Sequence, residues 1–312
     1  MGARSVRGVR EATRVWRPDF PASVLGALSS LRRGPGDPTF RMRGDHVWRG
    51  IGTPTGPATL RLGCRAHDGE VEAVAWGTGA DWALDHVPAL LGADDDARGF
   101  RADLHPMVAE AARRRPQVRF GASHRLWEAL VPAVIEQKVT GQEAFAGFRR
   151  LVRRYGERAP GPRAADLGLW IQPGADTIRR IPSWEWLRMQ VDPARSRTLV
   201  RAATVADTLD RLGRDEADAK LRTLPGIGEW TSAEVRSRAF GDPDAVSFGD
   251  YHIARDIGWA LTGTPYDDDQ LRQFLEPWRP QRNRVVALIH GFAGGRPRRG
   301  PRMAPRTHLP VR

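Results

Sequence analysis

From residue 38 to 76 apolar and polar positions alternate in short runs. "TFRMR", "HVWRG", "ATLRLGC" and "EVEAVAW" carry β-formers in that alternation. They are separated by the turn compositions "GD", "TPTGP" and "HDG". The pattern predicts a small antiparallel sheet. "ASVLGALSSL" before it and "ADWALDHVPALL" after it predict flanking helices. Cys64 alternates with the strand residues of "ATLRLGC" and is expected in the core rather than as a nucleophile.

Beyond about residue 100 the apolar spacing lengthens to three and four. "HRLWEALVPAVIEQKVTGQEAFAGFRRLVRRYG" holds two such patterns, and Pro132 is expected to bend the first or to sit in its opening turn. "SRTLVRAATVADTLDRL", "DEADAKLRTL", "EWTSAEVRSRAF", "YHIARDIGWAL" and "NRVVALIHGF" predict further helices. The fold class is therefore α+β, with a small N-terminal antiparallel sheet and helices over 19–100 and a mostly α-helical domain over 101–292. Residues 1–18 and 293–312 read as basic tails, the second rich in Gly, Pro and Arg. A chain of 312 residues has room for both domains.

Charge narrows the choice of partner. The net charge is +12 and almost all of the positive charge is arginine, the only lysines being Lys138 and Lys220. Guanidinium forks suit phosphate, so nucleic acid is the natural polyanion, although a solvated arginine-rich surface has the same composition. One cysteine excludes an internal disulfide and any four-cysteine zinc or iron–sulfur site. The eight histidines show no H-E-x-x-H spacing, and no metal site is expected. With no apolar run of membrane length and no signal-peptide core, a cytoplasmic, nucleoid-associated protein is the default.

The candidate chemistry lies in "LPGIGEW", residues 224–230, and "VSFGDYH", residues 246–252. Gly226 and Gly228 permit a tight corner between two helices, and the second helix starts just after them. Its free N–H groups would then point out of the corner as an anion site that does not discriminate sequence. An ordinary helix–helix corner has the same composition. Asp250 follows at the start of the next helical pattern, where it could simply act as an N-cap.

Hairpin and acid together, "LPGIGEWTSAEVRSRAFGDPDAVSFGDYH", resemble the signature of the helix-hairpin-helix (HhH-GPD) DNA glycosylase superfamily. Within it the chain is most similar to the 3-methyladenine DNA glycosylase II group. "VIEQKVTGQEA", "WRPQR" at 278–282 and the N-terminal β region also match that group, and the resemblance covers about residues 35–292. It implies a helical HhH-GPD domain over 101–292, a DNA-binding hairpin at Leu224, Pro225, Gly226, Ile227 and Gly228, and Asp250 as the catalytic acid.

The same resemblance implies a carboxylate that stabilises positive charge on the sugar and orients a water. Members that also cut the backbone carry a lysine where this chain has Trp230, which implies a monofunctional enzyme. Trp230, Glu234 and Gln281 fall at base-pocket positions. Glu234 and Gln281 depart from the aromatics usual there; Glu234 either faces the pocket or pairs with Arg238. Val191 or Pro193 is expected as the wedge that fills the gap left by a flipped base. Of the rival acids, Asp242 and Asp244 are expected to shape their loop and Asp256 to pair with an arginine; His252 is expected on a helix surface or beside a phosphate.

The resulting expectation is a monomeric, monofunctional glycosylase for alkylated purines in double-stranded DNA. It needs no cofactor, apart from a candidate monovalent cation at the hairpin, and no obligate protein partner. The alternatives are a non-catalytic DNA-binding or damage-sensing protein on the same fold, and a glycosylase for another lesion such as a deaminated base.

Overall fold

The computed structural model describes residues 4–6, 9–65 and 69–297. Six antiparallel strands form the N-terminal sheet: β1 (Arg4–Val6), β2 (Val9–Trp16), β3 (Phe40–Arg43), β4 (His46–Thr53), β5 (Gly56–Arg65) and β6 (Glu70–Trp76). Their spatial order is β1-β2-β6-β5-β4-β3. The four strands expected from alternation are β3 to β6.

Strand β2 corrects the expectation of a tail over 1–18. It pairs with β6 from Glu11↔Trp76 to Trp16↔Val71, and Ala12 is buried. Its arginines reach acids of the helix Ala80–Asp85, Arg10 to Asp81 at 2.7 Å and Arg14 to Asp85 at 3.1 Å. The basic residues that suggested a tail are thus docking groups. The other expected tail, 293–312, lies outside the described residues from 298 onward.

Alternation sends the two faces of the sheet to different partners. Ile51, Leu60, Leu62, Val71, Ala73 and Ala75 pack with Ala80, Leu84, Val87 and Leu90. On the other face Trp48 and Trp76 stack with centroids 5.5 Å apart and meet Ala159, Leu169 and Ile171. Cys64 departs from the expected core position and is exposed. It shares the face of Leu60 and Leu62 but lies near the strand's end. The helix predicted over "ADWALDHVPALL" is two short ones, Ala80–Asp85 and Val87–Leu90, with Pro88 in the second's first turn.

In the helical region Leu126–Ile135 is buried on nearly every side, with Pro132 inside it rather than in its opening turn. Gly141–Tyr155, which starts from a Thr140–Glu143 capping box, Pro193–Ala203 and Glu229–Phe240 share its core. A second core joins Pro106–Arg114, Ile253–Thr262, Asp268–Leu275 and Arg282–Ala293 through Val108, Ile257, Leu271, Val285 and Ile289. The helix Glu229–Phe240 belongs to the first core and the segment 246–257 to the second.

The sheet and the helical region interlock. Arg49 and Glu128 form a buried ion pair at 2.7 Å, Arg125 Nε donates to Gly52 O, and Trp170 N donates to Pro38 O. Among the described residues no helix is long and apolar enough to cross a membrane.

Candidate active site and nucleic-acid interface

The hairpin joins Arg214–Arg222 to Glu229–Phe240. Ile227 N donates to Leu224 O at 3.0 Å, and the Ile227 side chain is buried as the anchor of the corner. Gly226 has φ +94°, and a Cβ there would collide with the Thr198 hydroxyl. Gly228 is different, since a Cβ would meet nothing within 4 Å. The fold therefore demands the first glycine, while the second leaves open space in front of the helix.

Helix Glu229–Phe240 has no side-chain cap, and the amides of Gly228, Glu229 and Trp230 donate to no acceptor among the described residues. Gly228 is exposed and the other two are half-buried. Such amides, with the helix dipole behind them, favour an anion. Glu229 would oppose one, but Arg272 holds its carboxylate in two bonds of 2.8 and 2.7 Å. Those bonds pull the Glu229 pKa below the usual carboxylate range. Gln137 locks the corner by donating to Gly226 O at 2.9 Å and to Thr231 Oγ1 at 2.8 Å. The carbonyls of Leu224, Pro225 and Gly226 each accept a hydrogen bond within the chain.

The helix ends at Gly241 in the left-handed conformation, and the chain turns through 242–250 toward the second core. Val246 and Phe248 are buried, whereas Gly249, with φ +86°, is exposed. Asp250 Oδ1 accepts from His252 N at 2.7 Å and from Ile253 N at 3.1 Å. The capping role is therefore present but engages one oxygen; Oδ2 accepts no hydrogen bond among the described residues.

The neighbouring acids are occupied. Asp242 pairs with Arg236 at 2.5 Å, and Asp244 accepts two bonds from Arg282 at 2.8 and 2.7 Å. Asp268 accepts from Gly249 N at 2.9 Å. Asp256 was expected to pair with an arginine side chain; it is buried, accepts from the backbone N of Arg296 and lies 3.8 Å from His290 Nε2. Asp250 and Asp268 are the acids of this group with one oxygen engaged and no ion pair among the described residues; Asp268 spends its bond on Gly249 N, whereas Asp250 holds the start of the next helix.

The expected pocket residues divide. Trp230 is half-buried and makes no ring contact or side-chain hydrogen bond among the described residues. Glu234, one turn on, does not present a free charge. Its Oε2 accepts from Arg238 at 2.5 Å and its Oε1 from Ser247 Oγ at 2.5 Å. Burial pushes the Glu234 pKa up, but Arg238, Ser247 and Arg33 together outweigh it and leave it below the usual value.

Gln281 is almost fully enclosed. It is 8% exposed, accepts from Arg284 Nε at 2.7 Å and donates to Arg98 O at 3.2 Å. It belongs to a buried network in which Arg284 grips Asp95. Val191 is fully buried and so cannot act as a wedge without moving; Pro193 is exposed as the first residue of its helix. Trp184 and Leu187 are the exposed apolar residues of the preceding helix, at 62% and 41%. Lys138 and Lys220 are both exposed, as is His252, whose ring meets Tyr251 edge-on.

Four contributors went unnoticed in the sequence. Tyr251, next to Asp250, is 66% exposed with the Arg255 guanidinium 4.2 Å above its ring. An aromatic directly after the acid was the available signal. Gln137 lay inside the matched "VIEQ" but its bonds to the hairpin did not follow from spacing. Ser247 and Arg272 carried no sequence signal, because each acts through a residue distant in the chain.

Fold and site together define a helix-hairpin-helix architecture: the chain has the fold of the DNA glycosylase superfamily that its hairpin motif resembles. No family model matches it. A probable bifunctional transcriptional activator/DNA repair enzyme AlkA of Mycobacterium tuberculosis is 30% identical over 198 residues. The match covers 60% of this chain and 37% of the relative, so the chain spans well under half of that relative's length. A 3-methyladenine DNA glycosylase from Archaeoglobus fulgidus superposes with a TM-score of 0.71 at 16% identity, over 88% of this chain and 96% of its own. The 8-oxoguanine glycosylase/lyase of Clostridium acetobutylicum reaches 0.66 at 10% identity, over 91% and 98%.

Proposed function

We propose that the chain is a monofunctional DNA glycosylase that hydrolyses the N-glycosidic bond of an alkylated purine flipped from duplex DNA. The observation that carries the reading is Asp250. It is a half-buried carboxylate tied at one oxygen by two amides and open at the other, on the loop that follows a hairpin with three free amides. The hairpin amides would hold a phosphate and fix the strand. The open oxygen would face the sugar, stabilise its developing positive charge and orient the attacking water. Trp230 offers an aromatic face to the displaced base.

A cationic base such as 3-methyladenine or 7-methylguanine leaves without much protonation, which suits a site whose Asp250 carboxylate has no ion pair among the described residues. Trp230 stands where lyase members carry lysine, which supports the monofunctional assignment. A second reading is a glycosylase for another lesion. It draws on Glu234, whose compensated charge gives a cationic base no special advantage, and on the 8-oxoguanine glycosylase/lyase of the same fold.

Duplexes with single lesions, incubated with the protein and then treated with alkali, test these assignments. Strand breaks appear after alkali for alkylated purines, and borohydride traps no covalent adduct. Faster release of hypoxanthine than of 3-methyladenine favours the second reading. A trapped adduct contradicts the monofunctional assignment, and release of no base from any duplex contradicts the enzyme.

A further inference from the structure

A buried carboxylate that the proposed chemistry does not use touches the segment that carries that chemistry. The Glu234 and Arg238 side chains are 16% and 14% exposed, and their pair leaves Glu234 Oε1 to Ser247. Ser247 is 5% exposed, and its carbonyl accepts from Asp250 N at 3.2 Å. On the other side Arg238 Nε donates to Ser30 O at 3.0 Å, and Arg33 Nη1 donates to that same carbonyl at 2.9 Å. A chain of hydrogen bonds thus runs from the N-terminal segment through Arg238, Glu234 and Ser247 to the backbone of Asp250.

The loop needs such ties. Gly249 is exposed and a Cβ there would touch nothing, so packing does not hold the residue before the acid. Its neighbours are held instead by Glu234 at Ser247, by Arg272 over the Phe248 ring at 3.8 Å, and by Asp268 at Gly249 N. Arg272 is itself gripped by Glu229. Two acids of one helix, Glu229 beside the hairpin and Glu234 a turn further, therefore both reach the loop of Asp250. Arg238 compensates the Glu234 charge, so the hydroxyl is held without a net negative charge facing a bound base.

We infer that Glu234 is a positioning residue for Asp250, acting through Ser247 and anchored by Arg238 to the N-terminal segment. The inference rests on the reading of Asp250 as the catalytic acid. It gives the departure from an aromatic at position 234 a use: the side chain that would have walled the pocket aligns the acid instead.

Ser247→Ala removes the donor and leaves the buried ion pair intact, while Ser247→Thr returns a hydroxyl. Three readouts separate alignment from general damage: amide exchange at Asp250, His252 and Ile253, single-turnover base release from a 3-methyladenine duplex, and affinity for that duplex. For Ser247→Ala, exchange at those amides rises about tenfold and base release slows by about tenfold or more, since a small misplacement of a reacting group is enough for such a loss. Affinity stays within about twofold, and Ser247→Thr recovers both rates. Parental exchange and release in Ser247→Ala overturn the inference, as does a Ser247→Thr variant as impaired as the alanine. Asp250→Asn run beside them tests the underlying reading separately: if it excises normally the catalytic assignment fails, while the exchange data still judge the tie.

Discussion

At the scale of single residues, the site depends on how each carboxylate is compensated. Glu234 and Arg238 are mutually buried, and removing one charge leaves the other unpaired, which costs about 3–5 kcal/mol in comparable sites. Glu234→Gln should therefore lower the unfolding free energy by about 3 kcal/mol at neutral pH, read from denaturant melts. The folded-state pKa of Glu234 lies below its ordinary 4.5, so its contribution is present above that value and is lost as the pH falls below it. The stability gap between parent and Glu234→Gln should accordingly close in acid. A gap unchanged between pH 7 and pH 3 contradicts the charge assignment. Spacing in the sequence named Arg238 as one of two partners for Glu234, and that pair is present; the roles of Asp250 and Trp230 are proposals. Spacing did not show that Gln281 and Val191 are buried, because burial depends on what arrives from elsewhere: Arg284 and Asp95 around the first, the helical core around the second.

At the scale of elements, the two hairpin glycines have separate reasons to be there. Gly226→Ala must abandon a positive φ and displace Thr198, so it should unfold at a lower temperature and lose DNA affinity together. Gly228 has an ordinary φ and open space, so Gly228→Ala should melt like the parent and still bind duplex DNA more weakly, by about tenfold, because the new methyl stands where a phosphate approaches. Melting curves and fluorescence anisotropy decide it; parental affinity in Gly228→Ala would remove the hairpin from the interface. The hairpin was legible because its glycines and proline act locally. Strand β2 was not, because Arg10 and Arg14 hide the alternation of "VREATRVW". Their charge is met by Asp81 and Asp85, some seventy residues away. The helix at 106–114 was likewise missed, since its apolar face matters only against Arg282–Ala293.

At the scale of the molecule, the change of apolar period near residue 100 made the α+β class legible, but not the joining of the parts. Arg49 with Glu128, Trp48 and Trp76 with the loop that follows Tyr155, and Arg238 with Ser30 tie the sheet to the helices. Such contacts pair residues with no sequence relation, so no pattern announces them. The result places the hairpin and the acid loop on either side of one helix, each braced by the N-terminal segment or the second core. The central claim is that this arrangement breaks glycosidic bonds with Asp250. Asp250→Asn keeps the acceptor oxygen for His252 N and Ile253 N and removes the charge. The decisive measurement is single-turnover base release by this variant and the parent from a 3-methyladenine duplex, with affinity measured on the same DNA. The account predicts a loss of about 100-fold or more in release with affinity within a few-fold of the parent; release at the parental rate would contradict it.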